Sequence, residues 1–167
     1  MAFIALLVLA AGVLVWRNFQ AERNARQAMT ATGCRYDSRS DPGRGDTGNT
    51  TFSVDPPSGG PHGASPANSG SYQVQNAPDD GAVVHALEHG RIAIWYRPDL
   101  PAPEIERLAG LLDVRRGMVL LVPRATLSGP VAATAWGRRL LCPQPDVEAL
   151  GRFVRTYVNK GPEKVPS

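Results

Sequence analysis

The chain has very few residues of the types that most often bind metals or carry redox chemistry, with three histidines and two cysteines in 167 residues. It also lacks a cluster of lysine and arginine interleaved with aromatic side chains, and its formal net charge is only +3. Because nucleic-acid binding needs a dense basic patch, nothing indicates a nucleic-acid partner. No serine or threonine stands in a nucleophile elbow, and no internal repeat is visible. The length allows one compact core of about 100 residues with appendages, and not two ordinary domains.

The two cysteines, Cys34 and Cys142, are far apart in the sequence. An even number of cysteines in an exported protein allows one disulfide, which here would close a loop of about a hundred residues. In the loop-entropy picture such a bond stabilises the fold by roughly 4 to 5 kcal/mol. The alternative is two unrelated thiols, and the sequence alone leaves both interpretations open.

The long apolar run of the chain lies at its N-terminus, where Met1 to Trp16 contains no charged side chain. This length is close to the lower limit of about 17 residues for a membrane-spanning helix. A secretory signal would need a basic region before the run and a cleavage site after it, whereas Trp16 is followed directly by Arg17. We therefore predict an uncleaved, single-pass transmembrane anchor in the cell membrane, with the globular domain on the extracytoplasmic side. The arginines at positions 17, 23 and 26 argue for the opposite orientation under the positive-inside rule.

Composition divides the rest of the chain into segments. Good helix formers follow the apolar run, whereas glycine, proline, serine and aspartate dominate from about residue 32 onward. Helix formers favour a continuous stalk, and a composition rich in glycine and proline is typical of a flexible linker. The predicted organisation is a transmembrane anchor at 1–16, a helical stalk at 17–31, a flexible linker at 32–50, a globular extracytoplasmic domain at 51–162 and a tail at 163–167.

Hydrophobic periodicity predicts the elements of the globular domain. Apolar runs and alternation predict strands at Arg91–Tyr96, Met118–Val122, Val131–Trp136 and Arg139–Cys142, the last two joined by a tight turn at Gly137. Apolar residues at helical spacing predict a helix from Pro103 to Leu112 and a final helix that starts near Asp146. The fold class is then α+β: a small mixed β-sheet with two packed helices and a short histidine-bearing helix, preceded by one N-terminal transmembrane helix.

All three histidines fall in two short segments, PPSGGPH and VHALEHG. His85 and His89 are four residues apart, which would place them about 13 Å apart on a strand but side by side on a helix. The apolar residues of the second segment have helical spacing, and Gly90 is suited to the left-handed conformation that ends a helix. The pattern predicts a short amphipathic helix with His85, Glu88 and His89 on its polar face.

These histidines predict a metal site formed by His62, His85 and His89. Three imidazoles are a ligand set that suits zinc or copper, with one coordination position left open, and Glu88 can orient a ligand. Copper is slightly favoured over zinc because the domain is expected to be exported and lacks a hydrolytic constellation. In the alternative interpretation the histidines are structural: they bond backbone carbonyls and hold the PPSGGPH loop against the helix.

Two further interpretations belong to other classes of protein. The segment from His85 to His89 matches the H-x-x-E-H pattern of certain zinc hydrolases, but these need a longer helix and a distant third ligand, whereas Gly90 ends this helix. An enzymatic activity is therefore left open and not favoured. The second interpretation is a non-catalytic accessory subunit of a larger membrane protein complex, because small residues at positions 10 to 12 would permit close contact with partner helices.

Four motifs in the order PPSGGPH, VHALEHG, WYRPDLP and TAWGRRL make the chain resemble the bacterial membrane-anchored domain-of-unknown-function family numbered 3105. The similarity covers about residues 51 to 162. The resemblance implies a membrane-anchored extracytoplasmic domain and no established activity. The matching positions are Pro56, Pro57, Gly60, Pro61 and His62 in the first motif, His85, Glu88, His89 and Gly90 in the second, and Trp136, Gly137 and Arg138 in the last.

Overall fold

A computed structural model describes residues 2–39, 43, 45 and 51–163, and this part of the chain forms four α-helices and six β-strands. The helices are α1 (Ala2–Thr30), α2 (Asp80–Glu88), α3 (Ala102–Ala109) and α4 (Val147–Tyr157). The strands are β1 (Arg35–Ser38), β2 (Gly70–Ser71), β3 (Ile92–Tyr96), β4 (Val119–Pro123), β5 (Val131–Ala135) and β6 (Arg138–Cys142). Short 3-10 helices lie at Val74–Asn76 and Gly110–Arg115. The end of the predicted linker, 46–50, and the predicted tail beyond residue 163 lie outside the described residues.

All six strands belong to one mixed sheet with the order β1-β6-β5-β3-β4-β2. β3 pairs in parallel with β4, β4 pairs in parallel with β2, and the other neighbours are antiparallel. A parallel pair needs a long crossover connection, which α3 provides between β3 and β4. The register places Ile94 opposite Leu121 on one side and opposite Ala133 on the other. The predicted α+β fold with a small mixed sheet is confirmed.

Two hydrophobic cores lie on opposite faces of this sheet, because successive side chains of a strand point to opposite faces. On β3, Ile92, Ile94 and Tyr96 belong to the core that includes α3 and α4. Ala93 and Trp95 belong to the other core, which includes α2. All five residues of β3 are buried, as expected for a strand covered on both faces. The histidine-bearing helix α2 is therefore held on the face of the sheet opposite α4.

The N-terminal helix α1 is 29 residues long, but its apolar character is confined to its first half. Its C-terminal part packs against α4 and β1, where Met29 is fully buried. In the first half, Leu6 and Leu9 are 68% and 70% exposed. No helix in the described part of the chain is long and apolar enough to cross a membrane. The transmembrane helix predicted at 1–16 is thus not found in this part of the chain, and Arg17 begins the charged part of α1.

Cys34 and Cys142 form a disulfide that joins the chain just before β1 to the end of β6. The two strands are antiparallel neighbours with Arg35 opposite Leu141, so the two cysteines meet at one end of the pair. Both side chains are buried in the core that includes α4. Of the two alternatives that the sequence leaves open, the structure has the bonded one. The sequence separation of the cysteines is 108, and the loop between them contains both histidine segments.

Candidate metal site

The histidine-bearing helix α2 begins and ends at residues suited to those positions. The side chain of Asp79 accepts a hydrogen bond from the backbone N–H of Ala82 at 2.8 Å and so caps the N-terminus. Gly90 follows the helix with a φ of 80°, in the left-handed region where glycine has no steric penalty. A Cβ at this position would also lie 2.8 Å from the Cα of Asn159. Gly90 therefore ends the helix and also lets the segment after α4 approach it closely.

The segment that follows α4 covers the C-terminal end of α2. The backbone N–H of Asn159 donates to the carbonyl of Gly90 at 2.9 Å, and that of Glu163 donates to the carbonyl of Glu88 at 3.1 Å. Gly161 lies between them, and a Cβ on it would overlap the carbonyl group of Glu88. Sequence reasoning missed Gly161, because a close approach between distant parts of the chain leaves no local signal.

The PPSGGPH loop lies against α2 with its histidine turned inward, and both Ser58 and His62 are buried. The backbone of the loop is attached to the turn between β5 and β6, where the N–H of Gly137 donates to the carbonyl of Ser58 at 2.6 Å. This attachment places His62 next to His85 and Glu88 of α2. The AWGR motif thus supports the first histidine segment through its glycine.

Arg124, which follows β4, connects the loop to the start of α2. Its guanidinium donates to Asp55 at 2.5 Å and to Asp80 at 2.5 and 3.1 Å, and it lies over the ring of Trp95 at 5.2 Å. Burial lowers the pKa of Arg124, but the Asp80 and Asp55 carboxylates outweigh this effect and raise the pKa above its usual value. No sequence motif points to Arg124. Only the acidic residues beside the double proline and at the start of α2 indicate that a basic partner is needed.

His62, His85 and Glu88 form a buried cluster. One ligand atom of each residue lies within 4.8 Å of the ligand atoms of the other two. The Nε2 of His62 is 2.9 Å from Oε2 of Glu88, and the two imidazole centroids are 4.8 Å apart. The exposed fractions of the three residues are 0%, 7% and 5%. Two imidazoles and a carboxylate that converge in this way could hold a metal ion.

Backbone carbonyls of the loop orient both imidazole rings of the cluster. The Nδ1 of His62 is 2.8 Å from the carbonyl oxygen of Gly60, and the Nδ1 of His85 is 2.7 Å from that of Gly63. A carbonyl oxygen only accepts, so each Nδ1 carries the proton and donates. In a neutral ring the lone pair then lies on Nε2, which is the nitrogen that would bind a cation. Histidines that bind metals are commonly oriented by such a hydrogen bond from the second nitrogen.

The ring of His62 lies between two oxygen atoms, the Gly60 carbonyl at Nδ1 and the Glu88 carboxylate at Nε2. A neutral imidazole can donate to only one of them. The contact with Glu88 is favourable when either a proton or a metal ion lies between Nε2 and the carboxylate oxygen. A metal ion at this position would offset the cost of removing the carboxylate from water.

His89, the third predicted ligand, lies outside this cluster. Its ring stacks on that of His85, with centroids 4.8 Å apart and planes inclined by 17°. Its Nδ1 is 4.0 Å from Oε2 of Glu163. Glu88, predicted to orient a ligand, lies in the cluster and offers a possible ligand atom itself. The donor set that the structure brings together is therefore two imidazoles and one carboxylate, where the sequence predicts three imidazoles.

Trp136 and Arg138, the remaining predicted motif residues, border the cluster. The ring of Trp136 meets His62 edge to face, with centroids 6.0 Å apart and planes at 86°. Arg138 donates to the carbonyl of Trp136 at 3.0 Å, and its guanidinium lies over the ring of Tyr157 at 5.1 Å. Trp136 is therefore an apolar wall of the cluster, and Arg138 fixes the backbone that carries this wall.

The arrangement differs from that of the H-x-x-E-H zinc hydrolases. In those enzymes both histidines bind the metal and the glutamate acts as a base. Here His85 and Glu88 converge with His62 from a separate loop, and His89 lies to one side. Catalysis by a metal ion also needs access for substrate, whereas all three cluster residues are buried. The cluster could hold an ion, but its geometry does not match the pattern of those hydrolases.

The fold and the site define a small α+β domain in which a loop and a short helix enclose a buried cluster of two histidines and one glutamate. The chain belongs to the family described as Protein of unknown function (DUF3105), whose model matches residues 45–167. The resemblance inferred from the motifs is confirmed. No curated protein and no solved structure matches the chain significantly. A function for this domain must therefore rest on the chemistry of its own site.

Proposed function

We propose that the domain binds one transition-metal ion through the Nε2 atoms of His62 and His85 and a carboxylate oxygen of Glu88. The supporting observation is that three ligand atoms converge within 4.8 Å in a buried place. Both rings are also oriented through Nδ1 in the manner of metal-binding histidines. Burial of these polar groups together costs free energy, which a shared cation offsets.

The donor set favours zinc over copper. Two histidines and one carboxylate form a set that zinc uses, with a fourth position for water or another ligand. The cluster contains no sulfur atom, which is the donor that Cu(I) prefers. The sequence favours copper because it predicts three imidazole ligands in an exported domain. The set of two imidazoles and one carboxylate favours zinc instead.

The burial of the cluster favours a role in which the ion is held or handed on, and not one in which it acts on a substrate. The disulfide between Cys34 and Cys142 supports a location outside the cytoplasm, because structural disulfides persist in oxidising compartments. The proposed function is accordingly that of an extracytoplasmic domain that binds and handles a transition-metal ion.

Elemental analysis of the chain, purified without a histidine tag and reconstituted in turn with zinc and with copper, tests this function. Wild type should retain about one equivalent after dialysis, as a single site with three protein ligands does. His85→Gln and Glu88→Gln should each lose the ion. His89→Gln is the matched control, because it removes a neighbouring imidazole outside the cluster. If wild type retains neither zinc nor copper, or if all three variants retain the ion equally, the assignment of these ligands is wrong.

The second candidate is a non-catalytic accessory subunit of a membrane protein complex, with structural histidines. The hydrogen bonds from His62 and His85 to loop carbonyls support it, because they connect the loop to α2 without any metal. The apolar side chains exposed on α1, among them Leu6, Leu9 and Phe19, also support it, since large exposed apolar patches are usually covered by a partner.

Two measurements distinguish this candidate from the first. If the histidines are structural, His85→Gln lowers the free energy of unfolding by the same amount in a chelator as in the presence of zinc. If the histidines bind a metal, most of the loss requires zinc, because only the folded site binds the ion. Extraction in a mild detergent should give the chain with a stoichiometric partner if it is an accessory subunit, and the chain alone if it is not.

A further inference from the structure

A cavity of about 490 Å³ lies between α1, β1 and the turn of the β5–β6 hairpin. Its size is within the usual range for small-molecule sites, about 300 to 1,000 Å³. Three arginines line it, each from a different part of the chain: Arg26 of α1, Arg39 after β1 and Arg138 of β6. We call this cavity the arginine pocket. No sequence motif predicts it, because Arg138 lies about a hundred residues after Arg26 and Arg39.

The arginine pocket has an excess of positive charge. Glu22 is the acidic residue that lines it, and its carboxylate lies 3.9 Å from both Arg26 and Lys160. In the part of the chain that the structure describes, neither Arg39 nor Arg138 forms an ion pair with a carboxylate. Among the described residues, three guanidinium groups and one carboxylate thus leave the lining with two uncompensated positive charges.

The guanidinium groups also have hydrogen-bond donors to offer a ligand. The Nε of Arg26 is buried and has no hydrogen-bond partner among the described residues. Arg39 uses Nη1 on the hydroxyl of Ser53 at 2.7 Å, and Arg138 uses Nη1 on the carbonyl of Trp136 at 3.0 Å. Each guanidinium has five N–H donors, so most of them remain for a ligand. A buried donor without a partner is rare in folded proteins and indicates a missing acceptor.

Aromatic rings hold two of these guanidinium groups in position. Arg26 lies 5.5 Å from the ring centroid of Tyr36, and Arg138 lies 5.1 Å from that of Tyr157. Stacking on a ring fixes the plane of a guanidinium and leaves its edge available for bidentate contact. Burial, together with the neighbouring Tyr36 hydroxyl, raises the pKa of Tyr157, so this phenol stays neutral and does not compete for the arginines.

We propose that the arginine pocket binds a small, doubly charged oxyanion, either a phosphate or a dicarboxylate, through Arg26, Arg39 and Arg138. The two uncompensated charges match a dianion, and arginine forks recognise both phosphate and carboxylate oxygens. Trp136 lines the pocket and also contacts His62, so the pocket and the metal cluster share one wall. The donors of the pocket are nevertheless independent of the metal ligands, and binding of the anion requires no metal.

Titration calorimetry of the full chain with inorganic phosphate, and separately with succinate, tests the proposal in a chelator at constant ionic strength. Wild type should bind at least one of the two anions saturably. Arg26→Gln and Arg39→Gln should each weaken binding about tenfold or more, because each removes charge-assisted hydrogen bonds. Arg116→Gln is the matched control: it removes the same charge from an exposed residue paired with Asp113, and should bind like wild type.

Tryptophan fluorescence gives a second readout. Addition of the anion should change the emission of wild type but not that of Trp136→Phe, because Trp136 is the tryptophan that lines the pocket. The exposed position of Arg39 makes Arg39→Gln the variant that should fold normally even if Arg26→Gln does not. The proposal is overturned if neither anion binds saturably, or if Arg116→Gln weakens binding as much as the pocket variants do.

Discussion

The disulfide between Cys34 and Cys142 should supply a large part of the stability of this domain. The change that tests this is the double variant Cys34→Ala/Cys142→Ala, in which alanine avoids placing hydroxyl groups at two buried positions. For a sequence separation of 108, the loop-entropy relation gives a loss of about 4.8 kcal/mol at 25 °C. Small domains have a free energy of unfolding of about 5 to 15 kcal/mol, so the folded state of the variant should be only marginally stable.

Urea unfolding followed by circular dichroism and tryptophan fluorescence measures this loss. The midpoint should fall by roughly 2 M if the m value is near 2 kcal/mol per M. Both proteins are measured in a chelator, so that metal binding contributes nothing to the difference. Reduced wild type and the single variant Cys34→Ala should match the double variant, because neither can close the loop. A loss below about 1 kcal/mol would refute the reasoning and would mean that the unfolded chain is already compact without the bond.

Three further changes test individual contacts. Gly90→Ala should lower the free energy of unfolding by roughly 2 kcal/mol or more in urea titrations, because it combines a φ of 80° with a Cβ 2.8 Å from Asn159. Gly117→Ala, with a φ of 73° and open space around it, adds only backbone strain and should lower the free energy of unfolding by less. Equal losses in the two variants would contradict this account. Asp146→Ala should lower the free energy of unfolding by about 1 kcal/mol at pH 7, because it removes the side chain that caps α4. The hydrogen bond from the N–H of Ala149 lowers the pKa of Asp146. Wild type should therefore be more stable to unfolding than Asp146→Asn above pH 3.8, and this difference in stability should fade as the pH falls below that value. Phe153→Ala, at a fully buried position, should lower the free energy of unfolding by about 3 to 5 kcal/mol. A loss under 1 kcal/mol would mean that neighbouring side chains repack into the cavity.

The strongest apolar patterns of the sequence predict the centre of the fold well. The strand expected at Arg91–Tyr96 is β3 at Ile92–Tyr96, and that expected at Val131–Trp136 is β5 at Val131–Ala135. These strands are buried, so their apolar residues are required by packing and are visible in the sequence. The edge strands β1 and β2 have no such pattern, because RYDS and GS form strands only through pairing with β6 and β4. β1 lies within the segment predicted as a flexible linker.

The candidate site could be predicted only in part. Two of its residues, His62 and His85, are conspicuous because histidine is rare in the chain, and Gly90 marks the end of α2. On a helix, Glu88 and His89 are both neighbours of His85, at spacings of three and four residues. Only the position of the loop decides which of them shares a site with His62, and contacts distant in sequence, such as those of Arg124, determine that position.

The backbone contacts of Asn159 and Glu163 with the end of α2 have a consequence for the timing of assembly. The covering segment at Asn159 to Glu163 is synthesised about seventy residues after Glu88 and nearly a hundred residues after His62. Until that segment arrives, the end of α2 stays exposed, and an ion in the cluster would exchange with its surroundings more readily. Under the proposed function, the domain would therefore retain its ion only after synthesis of the chain is complete.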